Sequence, residues 1–430
     1  MAINKNANYR SITVQAAKDK GRRVELKGGV TSLSYYENLR SNHTTGSIDL
    51  VDTGNSIVKD GKRVSLIEGL PIRGGEKIVF KVEDNSNNTL SMEMYLNKMT
   101  NLLETTTKDS FTINYVSKEF FANEMARVIK RYDGKISESV SAILKLLKAD
   151  IGEIENTSNS YNFIGNDKKP FYIASWLGTK SIPEEQYGKT AGFFLYQTQK
   201  GMNFKSVEGL LKQKPVKRYA YNDSIATGGR YDGKVISYNQ NRTVDLQSNL
   251  MLGVYNNRTL FFDPYEFKYT PKDFSITDQS GVKHAGVDSK DDWDFIAPEF
   301  TSSPTRLMTS ILDNGALPSG KNAKEQLNAW HKQKDVTNDK VMERMVQSVM
   351  RYNQLFSVVT SITIDGDFTL KAGDMISLDL PEVSGETDTI DKKRSGNYVI
   401  ASLQHYITPE KCITSLGLIR DSYGKKGRNS

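Results

Sequence analysis

Apolar residues in this chain recur mostly in short runs set among polar ones. From about residue 8 to 110 such runs stand at 24–26, 48–51, 64–67, 78–82 and 90–94. Runs of about four to eight residues, alternating or bounded by turn residues, mark strands that bury one face. Gly, Asn and Asp separate them at the spacing of a small barrel or sandwich. Gly74 and Gly75 part Leu70-Pro71-Ile72 from the strand predicted at 77–82. Glycine reaches positive φ at little steric cost, so this pair suits a tight reversal.

The period then changes. Ser117 is a candidate N-cap, and Phe121, Met125, Val128 and Ile129 follow at helical spacing. Val140, Ile143, Leu144, Leu147 and Ile151 form a second helical stripe, with Gly152 near its end. Residues 161–215 read as mixed, with strands at 171–173 and 193–196 and a short helix or turn at 206–212. Strands return at 235–238, 250–255 and 260–262. The stretch 263–336 holds Pro264, Pro271, Pro298, Pro304 and Pro318. It is too long for an ordinary loop and reads as an irregular inserted subdomain or arm. A helix is predicted over 339–356, with Asp339 as its cap and Val341, Met345 and Val349 on its apolar face. Strands follow at 358–364, 375–380, 397–405 and 412–419.

The expected fold class is therefore mainly β with α+β insertions. Residues 1–110 form a first barrel and 111–215 a helical and mixed insert. Residues 216–262 begin a second barrel, 263–338 interrupt it, and 339–424 supply a helix and the rest of it. A basic tail closes the chain at 425–430.

Composition narrows the function. With 430 residues, 37% apolar and 25% charged, the chain suits several folded domains. The single cysteine, Cys412, rules out an internal disulfide and a Cys-rich zinc site, and reads as a small core side chain. Residues 1–15 lack an apolar signal region, and no run approaches the roughly 18 apolar residues of a membrane span. Synthesis in a cytoplasm without membrane insertion is expected. The net charge of +7 is spread out. The basic clusters at 214–218, 392–394 and 425–428 are short, and a dedicated nucleic-acid binder shows a concentrated stripe with aromatics.

Catalytic signatures fail in turn. Gly228, Gly233 and Lys234 match most of a phosphate loop, but Val235 stands where a magnesium-binding hydroxyl belongs. Gly188-Lys189-Thr190 has Pro183 at the first glycine position. His43, His284, His331 and His405 include no two within five residues, so no helical two-histidine zinc motif exists. His405 alternates with apolar neighbours and reads as a polar outward or satisfied histidine. Asp288, Asp291, Asp292 and Asp294 lack the glycine and terminal glutamate of a calcium loop and read as solvated. No carboxylate pair is marked out for sugar-bond cleavage. The expectation is no catalytic, metal or cofactor residue.

Two sets of segments carry a resemblance. The first is Tyr35-Tyr36-Glu37-Asn38-Leu39, Gly46 to Asp52, and Leu70-Pro71-Ile72-Arg73-Gly74-Gly75-Glu76. The second is Leu370 to Leu378 with Gly373-Asp374, then Ser395-Gly396-Asn397-Tyr398, His405-Tyr406, and Thr414 to Asp421. Together and in this order they resemble the baseplate central hub proteins of T-even-like contractile-tail phages. More distantly, they resemble the base of type VI secretion spike proteins.

The resemblance implies two tail-tube-like β-barrel domains per chain and a homotrimer that presents six similar barrels. It implies a virion protein of the tail baseplate, assembled in the host cytoplasm, that is structural and not an enzyme. Its partners would be the central spike protein, which carries a lysozyme domain in some relatives, the tail tube or tube-initiator protein, and the baseplate wedge proteins. DNA would pass through the lumen without lasting contact. Tyr35, Tyr36, Pro71, Gly74 and Gly75 would be structural signature positions of the first barrel, and Gly373, Asp374, Gly396 and Tyr398 of the second. The rival readings are a spike-base component of a phage-like secretion or injection particle, and a cell-wall glycan hydrolase on a β scaffold.

Overall fold

The computed structural model describes residues 8–17, 23–54, 57–59, 61–70, 72–184, 186, 190–221, 231–242, 245–263, 267–275, 298–311, 341–382, 390–391 and 393–422. The first unit holds β1 (Asn8–Gln15), β2 (Arg23–Glu25), β3 (Val30–Asn38) and β4 (Thr45–Asp52). A hairpin of β5 (Ile57–Lys59) and β6 (Lys62–Val64) and a helical turn Leu66–Gly69 follow. β7 (Lys77–Glu83), β8 (Thr89–Glu104) and β9 (Asp109–Val116) complete it. Burial in β4 alternates residue by residue, as a sheet with one covered face requires. The run 64–67, read as a strand, instead ends β6 and enters the helical turn. Ser65 caps that turn by accepting from the Glu68 N–H, and the Ser-x-x-Glu spacing is a helix start.

An insert follows. It comprises helix Lys118–Met125, β10 (Arg131–Tyr132), helix Ile136–Leu146, β11 (Ile151–Ile154) and β12 (Phe163–Ile164). Helix Pro170–Gly178, β13 (Phe193–Thr198), β14 (Gly201–Ser206) and helix Val207–Leu211 complete it. Several expectations are corrected here. Helix Lys118–Met125 stops before Val128 and Ile129, and Met125 and Ile129 are exposed; its buried residues are Glu119 and Asn123. Ser117 heads the helix, but its hydroxyl donates to Gln197 Oε1 and not to the helix amides. Val140, Ile143, Leu144 and Leu147 are buried as read, whereas Ile151 and Gly152 lie in β11. Residues 171–173, read as a strand, are helical: Pro170 occupies the first helical turn, where its missing N–H leaves nothing unpaired.

The second unit opens with β15 (Lys217–Ala220) and β16 (Gly233–Arg242). Residues 250–255, read as a strand, instead end helix Leu246–Met251 and turn through 252–255 into the next strand. β17 (Asn256–Asp263), β18 (Lys268–Ser275), helix Pro298–Thr301 and β19 (Arg306–Ile311) come next. β17 joins β18 and β19 in a separate three-stranded sheet, so the described part of 263–336 is not wholly irregular. Pro271 is tolerated because β18 is an edge strand. The remaining elements are helix Val341–Leu355, β20 (Val358–Asp365), β21 (Met375–Asp379), β22 (Gly396–Ile407) and β23 (Cys412–Arg420). Asp339, Gly228, Gly188, Lys189, the acidic cluster at 288–294, His284, His331 and the basic tail lie outside the described residues.

The fold is mainly β. Strands β15, β21, β22, β23, β20 and β16 pair in that order and close on themselves, giving a six-stranded barrel. In the first unit β1, β7, β8, β9, β4 and β3 pair in the matching order. Chain order matches too, because β3, β4, β7, β8 and β9 correspond to β16, β20, β21, β22 and β23. The bulges coincide as well. The register shifts between Leu96 and Lys98 against β9, and between Ile400 and Ser402 against β23. It shifts between Val30 and Ser32 against β4, and between Val235 and Ser237 against β20. Four matching strand ladders with two matching bulges show that one five-strand scheme is used twice; the sixth strand differs, β1 lying antiparallel to β7 and β15 parallel to β21.

The units differ in closure. β1 and β3 form no ladder with each other among the described residues. Instead the Tyr9 hydroxyl donates to the Ile407 carbonyl at the end of β22 (2.9 Å). β22 in turn pairs with β3 from Ser402↔Asn38 to Ile407↔Leu33. The two units thus share one sheet and one core, which unites Ile12, Phe80 and Ile113 with Ile362, Tyr398 and Leu416.

Candidate functional site

Both units carry the same turn before their β7-type strand. Ile72-Arg73-Gly74-Gly75-Glu76 leads into β7, and Leu370-Lys371-Ala372-Gly373-Asp374 leads into β21. Gly75 has φ +84° and Gly373 φ +88°, which favour glycine. The Gly75 N–H donates to the Leu96 carbonyl (2.7 Å) and the Leu96 N–H to the Glu76 carbonyl (2.8 Å). In the second unit the Gly373 N–H donates to Ile400 (2.8 Å) and the Ile400 N–H to Asp374 (2.9 Å). Each acid caps its own turn. Glu76 accepts from the Arg73 and Gly74 amides, and Asp374 from the Lys371 amide.

The signature positions therefore fall into two classes. Gly74, Gly75, Gly373 and Asp374 sit on these matched turns. Tyr35 is buried in β3 and donates to Glu37, while Tyr36 is exposed on the opposite face. Gly396 (φ +137°) and Tyr398 shape the entry to β22, where the Tyr398 hydroxyl donates to the Arg394 carbonyl and Arg420 lies over its ring. Met92 and Met94 stand at the equivalent places in β8. Pro71 lies outside the described residues.

Sequence reasoning missed three buried polar clusters. The Glu37 carboxylate accepts from the Ala372 N–H (2.8 Å), the Gln199 N–H (2.6 Å) and the Tyr35 hydroxyl (3.0 Å). It thereby ties the first unit, the second unit's turn and the insert at one point. Burial pushes its pKa up to about 7, against the pull of those donors. Burial also lifts Asp374 to about 6, with Lys371 opposing. Arg351 is fully buried between Glu208 (2.7 Å) and Asp421 (2.6 Å). His405 is buried, with Nδ1 on Thr414 Oγ1; desolvation lowers it to about 3, so it is neutral. It faces inward beside Tyr35 and Phe368, not outward. These partners lie far apart in sequence, so spacing alone gives no signal for them.

The open surface is of another kind. Across the junction of the units, Thr45, Tyr36, Gln404, Ser415, Thr363 and Ser237 stand on one cross-strand rung. The next rung runs through Asn38, Ser402, Gly417, Ser361 and Asn239. No charged residue stands on either. The equivalent rungs of the first unit are Thr100, Thr112, Asp49, Ser32 and Lys98, Asn114, Ser47, Ser34. Their side chains bind one another: Thr112 and Ser32 hydroxyls donate to Asp49, Asn114 to Thr100, Gln404 to Tyr36. The result is a hydrophilic wall, part of whose polar groups pair within the sheet. A hollow of about 570 Å³ lies against it, flanked by β3, β22, β23 and β20. Among the described residues no cluster of His, Cys, Asp or Glu is suited to a metal, and no helix is long and apolar enough to cross a membrane.

No family model and no curated protein matches the chain. Solved structures do share its fold. The tail protein from Neisseria meningitidis MC58 matches with a TM-score of 0.56 at 7% identity, over 97% of this chain and 97% of that one. The 43 kDa tail protein of prophage MuSo2 from Shewanella oneidensis matches with a TM-score of 0.53 at 9% identity, over 96% and 98%. The chain has the fold of these tail proteins from end to end, in keeping with the baseplate resemblance in its sequence.

Proposed function

We propose that the chain is a structural tail component, the central hub of a contractile-tail baseplate. Three copies form a ring of six similar units. One rim of the ring meets the sixfold tail tube or its initiator, and the other holds the threefold central spike, with wedge proteins around it. The observation that carries this reading is the repeat. One chain holds two copies of a five-strand scheme, each with a sixth strand beside it, joined side by side through β3 and β22 into one sheet. Three such chains can present a nearly hexagonal outline, as closed symmetric assemblies require of their contacts.

The polar face supplies the channel wall. DNA crossing it meets short hydroxyl and amide groups, some of them hydrogen-bonded to one another. A row of Lys or Arg would hold phosphates and stall passage; the rungs at the junction carry none, and those of the first unit carry one lysine, Lys98, and one acid, Asp49. The chain acts without catalysis in this reading. Its two acids of most raised pKa, Glu37 and Asp374, are buried under backbone amides and serve as joints. The test is native mass measurement of the purified chain. A trimer is expected, and a stable dimer overturns the ring. Turnover of peptidoglycan by the isolated chain overturns the non-catalytic role.

A further inference from the structure

Apart from the two units, β17, β18 and β19 make a small sheet in the order β18-β17-β19. Its register aligns one face rung by rung. Phe262, Tyr269 and Ile311 share one rung, Leu260, Pro271 and Thr309 the next, and Arg258, Asp273 and Leu307 the third. Arg258 is exposed while Thr259 and Phe261 are buried, so this is the outward face. It is unusually apolar for a surface. Leu307 (65%), Ile311 (69%) and Tyr269 (65%) are exposed, and so is Phe267 (81%), whose ring stands edge-on to Phe262 at the hairpin end. The two charges on the face hold each other. Arg258 donates to Asp273 through Nε (2.6 Å) and Nη2 (2.7 Å).

The two edges of this sheet differ. β18 carries Pro271, Lys268 and Lys272, residue types that blunt an edge. β19 has neither proline nor lysine. Its one charge is turned aside, the Arg306 guanidinium donating to the Leu252 carbonyl (3.0 Å). Among the described residues no strand lies on the side of β19 away from β17. A bare apolar edge left unguarded is a template for another strand.

We infer that β19 is a docking edge for a different protein of the tail, which adds an extended, uncharged segment as a fourth strand and sets alternate apolar side chains beside Leu307 and Ile311. The inference rests on the structural-tail reading and names a partner surface for it. Area decides the form of the partner. The four exposed side chains offer about 500 Å², taking roughly 150–250 Å² for a whole aromatic, whereas a stable interface needs about 800 Å² from each side. A rigid face laid on the sheet falls short of that. An added strand makes up the difference through main-chain hydrogen bonds to the donors and acceptors of β19. Charge decides its composition. Arg258 and Asp273 satisfy each other, so an acidic or basic side chain buried on this face finds no counter-charge.

The test compares the isolated full-length chain with the same chain in tails purified from the cells that make them. Hydrogen exchange should be about tenfold or more slower in tails for the amides of 306–311 that face away from β17. The double variant Leu307→Lys/Ile311→Lys changes only exposed side chains. It should keep the parent's melting temperature and native mass, yet enter tails about tenfold less well, because lysine guards an edge. Leu307→Thr/Ile311→Thr serves if the lysines disturb folding, and the exchange measurement needs no variant. Tails that contain the chain but leave 306–311 exchanging as in isolation overturn the docking edge and spare the tail reading. A folded variant that enters tails at the parent's level does the same. Slow exchange already present in the isolated chain also overturns it, because a second copy or the chain itself then covers the edge. A chain absent from purified tails overturns the tail reading, and the docking edge with it.

Discussion

The two units use one backbone turn in different surroundings. At Gly75 an added Cβ would meet no atom within 4 Å. At Gly373 it would lie 2.3 Å from the Tyr196 hydroxyl, supplied by the insert. The backbone hydrogen bonds to the neighbouring strand are the same in the two turns, so the local sequence sets the turn; only the amide before Gly75 or Gly373 differs, Gly74 donating to Glu76 and Ala372 to Glu37. What covers it is set by chain a hundred residues or more away. The ends of β9 and β23 teach the same lesson. Beyond β9 stands Lys118, paired with Asp150 at the surface. Beyond β23 stands Asp421, fully buried against Arg351.

Substitutions at matched positions test how far this contrast reaches. The largest effect is expected at the buried triad. Arg351→Ala strands Glu208 and Asp421 in the core and should lower stability by about 3–5 kcal/mol in denaturant unfolding. Lys118→Ala at the matched end should lower it by less than about 1 kcal/mol. Comparable losses would end the contrast.

The next effect is one of pH. Glu37 holds its proton in the folded chain up to about pH 7, whereas an ordinary glutamate loses it near 4.5. The folded form thus binds more protons between these values. This contribution is full below about pH 4.5 and is lost as pH rises through about 7. Its slope is roughly 1.4 kcal/mol per pH unit. The Glu37→Gln variant should lose that slope relative to the unmodified protein in thermal unfolding between pH 5 and 7.5. Parallel curves would remove Glu37 as the titrating joint.

Gly373→Ala should cost about 2–3 kcal/mol, combining a strained φ with overpacking against Tyr196. Gly75→Ala should cost about 1 kcal/mol, from φ alone. Equal losses would show that the insert does not distinguish the turns. The smallest change is Tyr9→Phe, which opens the first unit's seam at Ile407. About 1 kcal/mol is expected, with faster amide exchange in β1 than in β15.

Much of the architecture was legible in the chain. Runs of apolar residues mark β2, β4, β7 and β8 of the first unit and β16, β20, β21, β22 and β23 of the second, and an apolar stripe marks helix Val341–Leu355, because each buries a face whose period is local; β1, β3, β9 and β15 are not marked. The matched glycines were also visible as turn residues. Their kinship could have been read from Ile-Arg-Gly-Gly-Glu against Leu-Lys-Ala-Gly-Asp, an internal echo at one spacing before a strand. Helix Pro170–Gly178 misled because Phe-Tyr-Ile favours strands, while Pro170 signalled a helix start. Glu37 and the Arg351 triad were not legible. Each draws partners from three separate segments, and nothing in the neighbourhood of one acid names the others.

The coincident bulges have a consequence for how such a gene can change. Side chains in a strand alternate, so adding or deleting one residue in β22 would swing Leu403 and His405 onto the wall and Gln404 into the interior. Single replacements leave that alternation alone. Wall-facing codons in these strands can therefore drift in identity, and inward ones only among side chains of similar size and polarity, while their number is frozen. Mutational libraries should record this as tolerance of missense changes at wall-facing positions beside intolerance of in-frame insertions.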